Sequence, residues 1–177
     1  MHWLNEPPSW RADGNTISAQ AGRKTDFWRK THDSGVRDSG HFYYETVSGD
    51  FTASVKVSGQ YADLYDQAGI MVRQDETTWL KCGIEFVGGV QYASSVVTRD
   101  WSDWAIRPLP NPPAIWLRVA RHGGTVEVYI SLDGLKYEMI RQAYLTDEAA
   151  LSVGLMFAAP AGNGFAVRFE DFTVTLG

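Results

Sequence analysis

The sequence predicts an all-β protein whose strands pack as two antiparallel sheets. Short runs rich in β-branched and aromatic residues recur along the chain, mostly alternating in polarity. Turn-forming clusters separate them, and no stretch makes a convincing helix. Roughly ten to thirteen such strands exceed what one flat sheet accommodates, so two packed sheets follow.

In chain order the runs are FYYETV from Phe42, FTASVKVSGQY from Phe51, AGIMVRQD from Ala68, TWLKCGIEFV from Thr78 and VQYASSVVTRD from Val90. After the proline-rich segment Pro108 to Pro113, which reads as a loop, come IWLRVARHG from Ile115, TVEVYISLD from Thr125 and LKYEMIRQAY from Leu135. LSVGLMFAA from Leu151 and FAVRFEDFTVTL from Phe165 complete the set. Ser48-Gly49-Asp50, Gly88-Gly89, His122-Gly123-Gly124, Asp133-Gly134 and Ala161-Gly162-Asn163-Gly164 supply the reversals. Thr146 to Leu151 is the sole helix candidate, with Thr146 as cap and Asp147 and Glu148 in a first turn, and it amounts to a turn at most. No strand is assigned before Phe42.

A chain of 177 residues without repeats, low-complexity tracts or linkers reads as one domain over residues 1 to 177. Its net charge of −5 argues against nucleic-acid binding, which draws on clustered Lys and Arg. The start MHWLNEPPSW is no signal peptide, and no apolar run is long enough for a membrane span. The lone Cys82 lies on an apolar strand face, and a buried free thiol points to a cytoplasmic setting. Seven tryptophans and eight tyrosines are a high aromatic content. Trp3, Trp10, Trp28, Trp101 and Trp104 fall in turn-rich or charged segments, where some rings are expected to face solvent or a ligand.

The segment Tyr65 to Glu85 concentrates the polar chemistry. With a period of two, Trp79, Lys81, Gly83 and Glu85 share one strand face, and Leu80, Cys82, Ile84 and Phe86 share the other. Gln67, Gly69, Met71 and Arg73 likewise stand opposite Ala68, Ile70 and Val72. A hairpin across Asp75 to Thr78 then sets Gln67 beside Glu85, with Lys81 nearer the turn and Arg73 too far to reach Glu85. Gly83 leaves a gap where a ligand can approach the backbone. A plain solvated sheet face would have the same pattern.

Thr25-Asp26-Phe27-Trp28, Tyr65-Asp66-Gln67-Ala68-Gly69, Lys81-Cys82-Gly83-Ile84-Glu85, Ser95-Val96-Val97-Thr98 and Ser102-Asp103-Trp104 occur in this order, and together they resemble the regulation-of-enolase family. The resemblance runs from Trp10 to Phe172 and implies a concanavalin A-like jelly-roll sandwich of two curved antiparallel sheets. Retaining glucanases of that fold carry a Glu, Asp, Glu series on one strand face. Here Lys81, Gly83 and Glu85 occupy the corresponding positions, so only one carboxylate of the three remains.

Glu85 alone cannot run a double displacement. Asp66, Asp100 and Asp103 are the loop acids able to supply a second carboxyl in a glycosidase-like alternative. Lys81 is expected to keep Glu85 ionised, which suits an acceptor better than an acid. In the loop Asp100 to Trp104, Trp104 is a stacking platform with Asp103 beside it. His32, Asp33, Asp38 and His41 lack metal-ligand spacing and read as loop hydrogen-bonders, with His41 a candidate for the concave cleft. Ser94 and Ser95 read as ladder positions, not nucleophiles.

The reading is therefore a non-catalytic domain that binds a carbohydrate or small polar ligand through Trp28, His41, Tyr65, Gln67, Lys81, Glu85, Asp103 and Trp104, with Glu85 the candidate catalytic residue. No cofactor or metal is expected. A protein-interaction module acting on a metabolic enzyme is the further alternative that the resemblance implies.

Overall fold

The computed structural model describes all 177 residues, and its regular elements are strands. They are β1 (His2–Leu4), β2 (Ser9–Asp13), β3 (Thr16–Gln20), β4 (Phe27–Arg29), β5 (Val36–Asp38), β6 (His41–Ser48), β7 (Phe51–Gly59) and β8 (Gln67–Arg73). There follow β9 (Thr78–Val87), β10 (Val90–Arg99), β11 (Trp101–Pro108), β12 (Ile115–His122), β13 (Thr125–Ser131), β14 (Glu138–Tyr144), β15 (Ala150–Ala158) and β16 (Ala166–Leu176). One sheet has the order β1-β6-β15-β8-β9-β10-β11 and the other β14-β13-β12-β7-β16-β3-β2. The result is two packed antiparallel sheets, as the strand pattern predicts, in the jelly-roll sandwich that the family resemblance implies.

The main core lies between the sheets. Ala68, Ile70, Val72, Leu80, Cys82 and Ile84 reach it from β8 and β9, against Val55, Val57, Leu117 and Val119 of the other sheet. Each large side chain taken fully out of water contributes about 1.5–3 kcal/mol, which fixes the alternation of these strands. A second, smaller cluster lies on the opposite face of the first sheet. There Met71, Trp79, Val96, Met156 and Phe42 are roofed by Phe27 of the β4–β5 hairpin. The outer face is thus half filled by the protein's own side chains.

Arg73 clamps that roof through two hydrogen bonds to the Asp38 carboxylate, at 2.6 and 2.8 Å. A fork-to-fork pair of this kind holds both distance and orientation.

Three local expectations change. The five N-terminal strands are short, and β1, β4 and β5 span three residues each, too few for a period-two pattern to register. Trp101–Pro108 is a strand, not a loop: Asp100, at φ 62°, makes the reversal by itself, and Arg99 pairs directly with Trp101. At Thr146 no helical turn forms. Its hydroxyl accepts the Glu148 N–H at 3.2 Å, and the chain enters β15 at Ala150.

Candidate functional site

Antiparallel pairing of β8 with β9 sets Gln67 opposite Glu85 and Met71 opposite Lys81, the register expected from the faces. The turn holds because Asp75 accepts the backbone N–H groups of Thr77 and Thr78, at 2.7 and 2.9 Å. At mid-hairpin Gly69 faces Gly83. A Cβ on Gly83, whose φ is +153°, would lie 2.0 Å from the Ala68 carbonyl oxygen. The absence of a side chain there is a demand of the backbone, not an opening for a ligand, and it bars an acidic residue from that position.

Beyond the roofed half, the outer face opens into a cleft of about 890 Å³. Gln67, Lys81 and Glu85 form its floor, Trp104 and Asp103 one wall, and Asp26, Trp28 and Tyr65 the rest of its rim. Of the eight residues expected to share a site, seven border this cleft.

The exception is His41. Its ring faces Phe157, with centroids 4.9 Å apart, and is fixed between the Asn5 carbonyl and the Gly22 N–H. Nε2 accepts from Gly22 at 2.9 Å, so Nδ1 carries the proton and donates to Asn5 O at 2.6 Å. Burial holds the pKa of this imidazole below its usual value. His41 is a structural member, because its place on β6 directs it away from the face that Phe42 supplies.

Glu85 is held at the cleft floor by two hydrogen bonds to one oxygen. Its Oε2 accepts from the Ser94 hydroxyl at 2.7 Å and the Trp104 indole at 2.8 Å, while Oε1 has no protein donor. Burial pushes its carboxyl pKa up; Lys81 acts in the opposite direction and is the lesser influence. The sequence suggests Lys81 as the dominant influence on this carboxyl, whereas burial is the larger one. Lys81 Nζ is spent elsewhere, donating to the Phe27 carbonyl at 2.6 Å and lying 3.6 Å from Asp26 Oδ1.

Asp26 is the residue that sequence reasoning passed over. Its Oδ1 accepts the Phe27 N–H at 2.8 Å and lies 3.4 Å from Gln67 Nε2, which ties the roof hairpin to the floor. Gln67 Oε1 has no protein partner, and the residue adjoins a void of about 10 Å³ that Gly83, Glu85 and Ser94 also line, about the size of a single water. The only advance sign of Asp26 was its position before Phe27-Trp28 in a segment of the family resemblance.

The proposed loop acids fare differently. Asp66 is fully buried outside the cleft and accepts the N–H groups of Ala62 and Asp63, both at 2.9 Å. It anchors the loop that presents Tyr65 at φ 69°, a conformation unusual for a bulky residue. Asp100 faces Arg29 at 3.0 Å and is absent from the cleft lining. Asp103 does border the cleft, with one oxygen 3.0 Å from Arg141. Tyr65 meets Trp104 edge to face, with centroids 6.1 Å apart, and Trp28 is fixed by donation to the Thr31 carbonyl at 2.8 Å. Trp101 stays 59% exposed and takes no part in the lining. His32 and Asp33 reach the rim, whereas Asp38 is bound to Arg73 and His41 points elsewhere, so the four do not converge.

Comparison with known proteins gives the same fold throughout. A family model described as "Protein of unknown function (DUF1349)" matches residues 3–176. Regulation of enolase protein 1 of Saccharomyces cerevisiae is 39% identical over 174 residues, covering 98% of this chain and 88% of that protein. The crystal structure of a functionally unknown protein from Saccharomyces cerevisiae superposes with a TM-score of 0.96 at 38% identity, over 99% of this chain and 96% of the other. A carbohydrate binding module, CBM66 from Bacillus subtilis, superposes with a TM-score of 0.60 at 13% identity, over 97% and 94% of the two chains, a likeness of fold alone. Matched along nearly its whole length by both model and relative, this chain belongs to the regulation-of-enolase family, the proteins of unknown function of DUF1349.

Proposed function

We propose that the outer face of the first sheet binds a carbohydrate or another small polar ligand, and that binding, not turnover, is its main task. The observation that carries this reading is the state of Glu85. One oxygen is locked by Ser94 and Trp104, while the other is left without a donor at the floor of a cleft of about 890 Å³. A few fixed polar groups beneath an aromatic rim suit a ring that offers hydroxyls and an apolar face. The fold shared with a carbohydrate binding module supports the same reading by analogy.

Calorimetric or NMR titration with a panel of mono- and disaccharides tests it. Glu85→Gln and Trp104→Ala should each weaken any detected binding about tenfold or more, the worth of a lost charge-assisted hydrogen bond. Affinities left unchanged in both variants would refute the assignment.

A glycosidase-like activity is the second reading, favoured by one feature: two carboxyl groups, Asp26 and Glu85, both border the cleft. An acid and its partner need two such groups flanking one ligand. If chromogenic glycosides are cleaved, Asp26→Asn and Glu85→Gln should each abolish turnover; activity surviving either change would dismiss this pair.

A further inference from the structure

The cleft's charges are arranged unevenly: the cations are occupied and the carboxylates are partly free. Lys81, 4% exposed, is held by the Phe27 carbonyl and lies 3.6 Å from Asp26. Arg37 on the rim directs both terminal nitrogens at Asp33. Arg141, arriving from the second sheet, faces Asp103 at 3.0 Å. Against these, Glu85 Oε1, Asp26 Oδ2 and Asp103 Oδ2 accept no hydrogen bond from the protein. Gln67, a residue of the cleft floor, adds an independent sign: it is 3% exposed, and its buried Oε1 acceptor has no protein partner. Free acceptors without free cations describe a site for a donor-rich ligand.

We infer that the cleft is selective by charge, admitting an uncharged, hydroxyl-rich ligand and rejecting the same ligand once it carries a phosphate or carboxylate. The inference rests on the carbohydrate reading above and sharpens it. An anionic group entering the cleft meets four lining carboxyl groups, Asp26, Asp33, Glu85 and Asp103, against two lining cations, Lys81 and Arg37, both already engaged. Hydroxyls of a neutral sugar, by contrast, have free acceptors to donate to in Glu85 Oε1, Asp26 Oδ2 and Asp103 Oδ2. Water is partly excluded from the floor, so the repulsion is less screened there than at an open surface.

The test is a calorimetric comparison of neutral sugars with their charged counterparts of the same size, glucose with glucuronate and glucose 6-phosphate and cellobiose with cellobiouronate, on the full chain at low and moderate salt. At least one neutral sugar should bind about tenfold or more tightly than its charged counterparts, by a margin that narrows with salt. Asp33→Asn supplies the second arm, because an amide still accepts the Gly35 N–H but no longer neutralises Arg37. In that variant the preference for neutral sugars should shrink. Anions that bind as tightly as neutral sugars, or an unchanged preference in Asp33→Asn, overturn charge selection and leave the carbohydrate reading standing. Failure of every sugar to bind overturns both.

Discussion

Gly83→Ala is expected to be among the most damaging single-methyl changes in this chain. At Gly83 the new Cβ would lie 2.0 Å from the Ala68 carbonyl oxygen and 2.7 Å from the Gly69 Cα, both backbone atoms of the partner strand. No rotamer relieves this, so β8 and β9 must part by about an ångström to reach ordinary contact distance. Parting them weakens one or two ladder hydrogen bonds at about 1 kcal/mol each, and holding alanine at φ +153° adds about 1–3 kcal/mol. A loss of about 2–5 kcal/mol follows, a large share of the 5–15 kcal/mol typical of a folded domain. Gly88→Ala is the control. It sits in a turn at φ +58° with no atom within 4 Å of its would-be Cβ, and should lose only about 1–2 kcal/mol. Guanidinium denaturation followed by tryptophan fluorescence measures both variants. If Gly83→Ala lies within about 1 kcal/mol of Gly88→Ala, the backbone argument for the glycine pair is wrong.

Other consequences are as specific. Asp38→Ala strands the Arg73 guanidinium, which is 8% exposed, under the roof hairpin; a cost of about 2 kcal/mol and a red shift of Trp79 emission are expected, and an unaltered spectrum with unaltered melting would contradict the clamp. His41 is held neutral by the fold, so the folded state binds fewer protons there than the unfolded chain. Its contribution is complete above the unfolded pKa of about 6.5 and declines as pH falls through the lower folded value. The stability difference between the wild type and His41→Gln should therefore shrink on acidification, and a difference that grows would refute the assigned tautomer. Cys82 is buried with its thiol pushed up to about 12, so a disulfide reagent should leave it untouched until the protein unfolds; rapid labelling of the native state would show that the strand opens.

Strand alternation conveyed the faces of β8 and β9, and with them the pairing of Gln67 with Glu85, because burial of one face leaves a single tolerable register. The same logic could not reach β4 and β5. Three-residue strands carry no period, and the hairpin is held by side chains distant in sequence, such as Arg73 on Asp38. Asp26 went unread for that reason, as its role depends on where this hairpin docks. His41 lies outside the cleft that the sequence suggests for it, because β6 begins at His41 itself and a polar ring beside aromatics does not disclose which face it takes. Glu85 shows a different limit. Proximity to Lys81 was legible, but that the lysine turns to Phe27 and Asp26, leaving burial as the stronger influence, is decided only in three dimensions.

The most direct test of the central claim is the indole N–H signal of Trp104 in a two-dimensional NMR titration with neutral sugars. Its proton is donated to Glu85 Oε2 at 2.8 Å on the cleft wall, so it reports the ligand and the key carboxyl together. Among the seven indole signals, Trp104 should shift most on saturation, and Glu85→Gln should move that response to about tenfold higher sugar concentration or beyond. A titration in which Trp101 or Trp116 responds while Trp104 stays still would place binding elsewhere and contradict the account.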